Sequence, residues 1–192
     1  MKLLHIDTSA LGAQSVTREI TAAIVARWQD ALPGLTTIHR DLDANPLPHL
    51  SGASLAKADP IEAADAARVL GQFLDADIVV IGAPMYNFTI PSTLKAWIDR
   101  VAVAGKTFRY TDAGPEGLAS GKRVIVAIGS GGLHSGAASD FVEPYLRLVF
   151  GFMGIEDVEF VRAEGVAYSP QHRVDAIAGA LASIPAPLLE AA

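Results

Sequence analysis

Asp77-Ile-Val-Val-Ile-Gly-Ala-Pro-Met-Tyr-Asn-Phe88 decides how this chain reads. Residues 78–81 are a continuous apolar run, the pattern of a strand covered on both faces. The run passes directly into a turn that offers backbone N–H groups, one side-chain amide and two aromatic rings. A flat, hydrogen-bonding, redox-active ring such as a flavin needs apolar walls and donors aimed at its polar edge. Residues 82–88 supply both. The plainer reading is a strand-to-helix connection in which Tyr86 and Phe88 plug the edge of the core.

On either side of this strand the chain alternates strand and helix. Strands are expected at 2–7, 35–41, 123–129 and 158–162, with a short one at 106–110. A helix is expected over 15–28, where Ile20, Ile24 and Trp28 share one face. Asp59-Pro60-Ile61-Glu62 reads as a second helix start, with Asp59 the cap, Pro60 at the first helical position and Glu62 reaching back to close a capping box. Pro91 opens a third helix, Asp140 with Glu143 caps a fourth that ends near Gly154, and Ser169-Pro170 starts a last one that Pro185 and Pro187 terminate. Residues 43–58 read as a long loop, and Gly114, Pro115 and Gly117 as part of another. Five main strands alternating with five helices predict an α/β fold: a doubly wound, five-stranded parallel sheet in the order 2-1-3-4-5, with helices on both faces and right-handed crossovers. One domain over 1–192 is expected, with an insertion at about 103–120 roofing the site.

The bulk properties narrow the function. The chain has 192 residues, of which 51% are hydrophobic, and a mean hydropathy of +0.32, enough for a full core. No apolar run approaches the roughly 20 residues that cross a bilayer. No basic segment, apolar stretch and cleavage site stand in series at the start, so no signal peptide is expected. Cysteine is absent, which excludes disulfides and thiolate chemistry and fits a cytoplasmic location. A net charge of −6 without a basic stripe argues against nucleic-acid binding.

In such a sheet a ligand lies beyond the carboxyl ends of the strands, at the switch point between the first and third. Three loops there carry chemistry. Thr8-Ser-Ala-Leu-Gly-Ala-Gln-Ser-Val-Thr17 leads into a helix N-terminus, whose free N–H groups and dipole attract a phosphate, with hydroxyls from Ser9, Ser15 and Thr17 and with Arg18 nearby. The alternative is that Ser15 only caps the helix. The second loop is 82–88. The third, Gly129-Ser-Gly-Gly-Leu-His134, lets backbone approach a planar ligand, and His134 at its end reads either as a group that stabilises charge on a reduced ring or as a plain capping or solvent-facing residue. It is not a dinucleotide fingerprint, because His134 stands where the third glycine belongs. His5, His39, His49 and His172 are scattered without metal-ligand spacing and read as structural or surface groups. Asp7 ends the first strand with no acid beside it, so no metal site is expected. No Gly-x-Ser-x-Gly elbow or His-Glu-x-x-His helix is present, and no Gly-Lys-Ser/Thr ends the first loop.

Together these pieces resemble the FMN-dependent NADH-azoreductases, a branch of the flavodoxin-like quinone reductases. The resemblance rests on Ala83-Pro-Met-Tyr-Asn-Phe88, Thr107-Phe-Arg-Tyr-Thr111 with Gly114-Pro-Glu-Gly-Leu118, Ser130-Gly-Gly132 with His134, and Ala163-Glu-Gly165 with Tyr168. It implies bound FMN, NADH or NADPH as electron donor, and ping-pong two-electron transfer through the flavin N5 to a quinone or azo compound. It also implies a homodimer with active sites at the interface. Ser9, Ser15, Val16 and Thr17 would hold the phosphate, and Pro84, Met85, Tyr86, Asn87 and Phe88 would line the ring. Ser130, Gly131, Gly132 and His134 would meet its other polar edge. Tyr110 and Phe152 would wall the substrate pocket, Phe152 from the second subunit. No side chain is implied as an obligatory acid or base. Val16 stands where such proteins often have an amide or serine, and Gly131 where they commonly have arginine. The alternative is a flavodoxin-type electron carrier without its own small-molecule substrate. A phosphate-ester hydrolase would need a nucleophile or metal set that the sequence does not show.

Overall fold

The protein is described by a computed structural model over residues 1–187. Among the described residues seven strands form: β1 (Lys2–Asp7), β2 (Thr36–Asp41), β3 (Ile78–Pro84), β4 (Phe108–Thr111), β5 (Gly114–Gly117), β6 (Arg123–Gly129) and β7 (Asp157–Ala163). The helices are α1 (Val16–Ala31), α2 (Gly52–Leu55), α3 (Pro60–Asp75), α4 (Ser92–Val101), α5 (Glu143–Phe152) and α6 (Pro170–Ala182). Five strands make one sheet in the order β2-β1-β3-β6-β7, every pairing parallel. Counting only these five, the order is the expected 2-1-3-4-5.

The centre of the sheet follows from the sequence in a simple way. All seven residues of β3 are buried, and alternate residues go to opposite sides. Val79 and Ile81 join a core with Phe73 of α3, Trp97 of α4 and Phe150 of α5. Ile78 and Val80 join a second core with Ile20 and Ile24 of α1 and Ile177 of α6. Fully burying each such side chain contributes about 1.5–3 kcal/mol, so β3 anchors both cores. The loop at its carboxyl end therefore leaves from the most constrained part of the molecule.

Local expectations needed correction in four places. Residues 43–58 are not all loop: Ser51 caps the four-residue α2, exchanging hydrogen bonds with Ser54. Asp59 does cap α3, but Glu62 does not close the box. Its carboxylate pairs with the buried Arg100 at 2.6 Å, and a buried guanidinium competes for an acid far more strongly than a solvated backbone N–H. Residues 114–117 are strand rather than loop and pair antiparallel with β4. This hairpin makes up most of the 103–120 insertion. The fourth long helix runs from Glu143 with Val142 as its cap residue; Asp140 still accepts the Val142 and Glu143 N–H groups and also pairs with Arg162.

Candidate functional site

The three loops predicted to converge do so at the carboxyl ends of β1, β3 and β6. Ser9, Ser15, Val16, Thr17, Pro84, Met85, Tyr86, Ser130 and Gly131 line one cleft, joined by Leu11, Gly129, Val166 and Arg173. Asn87, Phe88, Gly132 and His134 lie in the same two loops, outside that lining. The cleft holds about 200 Å³, less than the roughly 300–1,000 Å³ that encloses a whole small ligand. A cleft of this size would leave part of a cofactor's surface open.

Hydrogen bonds tie the loops into one platform. Tyr86 spends its hydroxyl on the first loop, 3.2 Å from Ser9 Oγ, and accepts from the Ala10 N–H at 3.1 Å. Met85 donates its N–H to Gly129 O at 2.8 Å, and Ser130 Oγ donates to Gly132 O at 2.8 Å. Arg18 does not face the cleft as a free cation. It donates twice to Asp41, at 2.6 and 2.8 Å, and from Nη2 to Ser9 O at 2.9 Å, clamping the loop from outside.

The α1 N-terminus is both a cap and an open donor site. Ser15 Oγ accepts from the Arg18 N–H at 3.2 Å. Among the described residues, the N–H groups of Val16 and Thr17 have no acceptor, as the first turn of a helix requires. The turn of β3 adds two more. Tyr86 and Thr89 bond to each other across Asn87 and Phe88, whose φ angles are +49° and +71°. A positive φ at a bulky residue costs about 1–3 kcal/mol and collects at functional sites. Among the described residues, neither of these N–H groups has an acceptor either.

The β6 loop is braced from behind. Gly165, Val166 and Ala167 donate their N–H groups to Gly132, Ser130 and Gly131 carbonyls, leaving the Gly131 and Gly132 N–H groups turned the other way. Glu164 accepts from the His134 and Ser135 N–H groups, both at 2.9 Å. His134 Nδ1 lies 2.8 Å from Ser139 Oγ, and its ring meets Phe88 edge-on at 5.8 Å. A Cβ on Gly132 would come within 3.0 Å of His134 Nε2, so the glycine is what admits the imidazole.

Tyr110 and Phe152 are not brought to this cleft within one chain. They meet through Phe108, whose ring centroid is 5.6 Å from Tyr110 and 4.5 Å from Phe152. Sequence reasoning missed two residues. Arg173 lines the cleft and holds Gln14 O at 2.9 Å. A cation in the first turn of a helix works against the helix dipole, which was the available signal. Glu164 lay inside a quoted motif but had no role until its two N–H donors were seen.

The Arg18 clamp gives a pH dependence. Arg18 hydrogen bonds, outweighing burial, lower Asp41 from 3.8 to about 2. A depressed folded pKa means stabilisation that is full above about pH 4 and lost as pH falls through about 2. Between pH 5 and pH 3 the shift corresponds to about 1 kcal/mol before solvent screening, and about 0.5 kcal/mol after it. Urea unfolding of Asp41→Asn against the native protein should show a gap that shrinks by that amount. A gap independent of pH would rule the clamp out.

Unpaired N–H groups from three loops at the carboxyl end of a parallel sheet define a flavodoxin-like class of phosphate-bearing cofactor binders. Residues 1–186 match the profile of the flavodoxin-like fold. An FMN-dependent NADH:quinone oxidoreductase of Stenotrophomonas maltophilia is 68% identical over 185 residues, covering 96% of this chain and 95% of that protein. One from Pseudomonas fluorescens is 48% identical and covers 100% of both chains. An azoreductase structure from Bacillus anthracis superposes with a TM-score of 0.86 at 31% identity, covering 96% of each chain. A Bacillus anthracis FMN-dependent NADH-azoreductase in complex with FMN gives a TM-score of 0.85 at 25% identity, covering 96% of this chain and 98% of that one. The chain belongs to this family of FMN-dependent NADH:quinone oxidoreductases and azoreductases. Among the described residues no helix is long and apolar enough to cross a membrane.

Proposed function

We propose that this chain is an FMN-dependent NADH:quinone oxidoreductase that also reduces azo compounds. The observation that carries the reading is the gathering of unpaired N–H groups at Val16 and Thr17, Asn87 and Phe88, and Gly131 and Gly132 in three loops at one end of the sheet, with Val16, Thr17 and Gly131 lining the cleft itself. The first pair, with Ser9 and Ser15, suits a phosphate; Arg173 adds positive charge. The second and third pairs, with the Asn87 amide and His134, suit the hydrogen-bonding rim of an isoalloxazine, and Pro84, Met85 and Phe88 its apolar faces. Held there, FMN would supply the two-electron chemistry between NADH and a quinone or azo acceptor.

The protein's part is to stack, orient and exclude water. His134 and the rim N–H groups stabilise negative charge where it develops. The shallow cleft supports a homodimer in which the aromatic group of Phe108, Tyr110 and Phe152 covers the partner's site. One domain, doubly wound with a helical layer for each core, completes the reading, and a cytoplasmic location fits the absence of cysteine.

The test is the colour of the purified protein, extraction of its cofactor, and steady-state NADH oxidation with menadione. A yellow protein that releases FMN and turns over both substrates is expected. A preparation that stays colourless with excess FMN would end the proposal. A yellow protein inert toward NADH would mean an electron carrier instead.

A further inference from the structure

The histidines that look scattered along the chain are not scattered in space. His5 of β1 and His39 of β2 are register partners in the parallel sheet, so their side chains leave the same face side by side, with ring centroids 4.5 Å apart. Asp7 lies two residues beyond His5 on that face. Its Oδ1 is 3.4 Å from His5 Nε2 and its Oδ2 is 2.9 Å from His39 Nε2. All three ligand atoms lie within 4.8 Å of one another. From these positions we propose that His5, Asp7 and His39 form a binding site for a divalent transition-metal ion, zinc being the occupant that two imidazoles and one carboxylate suit best. The inference does not depend on the flavin reading.

Three observations support it. First, His5 is nine-tenths buried, and its covered Nε2 makes no well-aligned hydrogen bond, with Asp7 Oδ1 standing off at 3.4 Å. A buried polar atom without a partner costs about 1–3 kcal/mol, and here it faces two other ligand atoms. Second, the spacing is close to that of a metal site. Ligands at 2.0–2.1 Å around a tetrahedral ion stand roughly 3.3 Å apart. The His5–Asp7 distance already fits, and His39, half-exposed on the edge strand, is free to shift. The 2.9 Å contact between His39 Nε2 and Asp7 Oδ2 marks where the ion would go. Third, Asp7 is oriented from behind, as metal carboxylates are. Thr21 Oγ1 donates to its Oδ1 at 2.9 Å. Arg18 Nη1, 3.7 Å from Oδ2, is the opposing charge, but Asp41 and Asp43 both pair with that guanidinium. The outward side, beyond His39, leaves coordination positions open to water.

The same donor set would take nickel or copper, with copper bound most tightly among these ions. The experiment uses the untagged, FMN-loaded full chain titrated with Zn²⁺ by calorimetry. One ion per chain is expected. His39→Ala should weaken binding by about 100-fold or more, since removing a group behind a ligand already costs about 10–100-fold. His5→Gln should do the same, and His49→Ala, outside the cluster, should change nothing. A His5 variant that fails to fold leaves His39→Ala to decide, because that side chain is half in solvent. The proposal fails if no stoichiometric Zn²⁺ binding is seen, if His39→Ala binds as tightly as the native chain, or if His49→Ala loses as much.

Discussion

Ser15→Asp should lose FMN affinity by at least a hundredfold while its apo form melts where the native apo form does. Ser15 caps α1 by accepting the Arg18 N–H, and aspartate caps a helix about as well as serine. A carboxylate at the first turn also gains about 0.3–1 kcal/mol from the helix dipole. Ser15 is buried and its Oγ also meets Thr17 Oγ1 at 3.1 Å, so desolvation of the carboxylate offsets these gains and the fold has no net reason to weaken. The cleft does, because the new charge occupies the place proposed for a dianionic phosphate. Two unit charges 4 Å apart interact by about 4 kcal/mol at an effective dielectric of 20. Even after loss to solvent, about 2.8 kcal/mol remains, a hundredfold in the dissociation constant. Quenching of flavin fluorescence by the apoprotein reads the affinity. Ser15→Asn, which caps without charge, should stay within about threefold. Equal affinity for all three proteins would place the phosphate elsewhere.

What the sequence made legible follows from how locally each feature is encoded. The five main strands were readable because β1, β3 and β6 are dense apolar runs with their own turns. The three loops were readable because topology alone sends them to one end of the sheet. The β4–β5 hairpin was not, since Gly-Pro-Glu-Gly has no strand propensity and forms only because β5 docks on the end of α5. The left-handed Asn87 and Phe88 were equally hidden. Asparagine tolerates that region, but nothing in the sequence forces a phenylalanine into it; the Tyr86–Thr89 pairing does. Glu62 read as a cap because its rival partner, Arg100, lies 38 residues away. The His5–His39 pair was invisible for the same reason: it exists only through the register of two parallel strands, which no local pattern states.

Gly117→Ala should destabilise the protein by about 3 kcal/mol or more, whereas Gly151→Ala, a short distance away, should stabilise it by about 0.5–1 kcal/mol. A Cβ on Gly117 would lie 2.1 Å from Gly154 N and 2.3 Å from Met153 C. Both are backbone atoms at the end of α5, where Gly154 has a φ of +87° and Met153 accepts the Ala119 N–H through its carbonyl at 2.9 Å. No rotamer change relieves such a contact. Overpacking ordinarily costs about 1–3 kcal/mol because side chains give way; here the hairpin or the helix end must move. Gly151 lies within α5 with nothing inside 4 Å of its Cβ position, so alanine there only removes the entropic penalty of a helical glycine. Urea unfolding of both variants checks the opposite signs. The Gly117 variant should also raise the KM for quinone, since β4 carries Phe108 and Tyr110 and moves with β5. A raised KM with native stability would mean that the hairpin shifts as a unit on its own hinge. Native stability together with a native KM would mean that Gly117 and Gly154 do not touch.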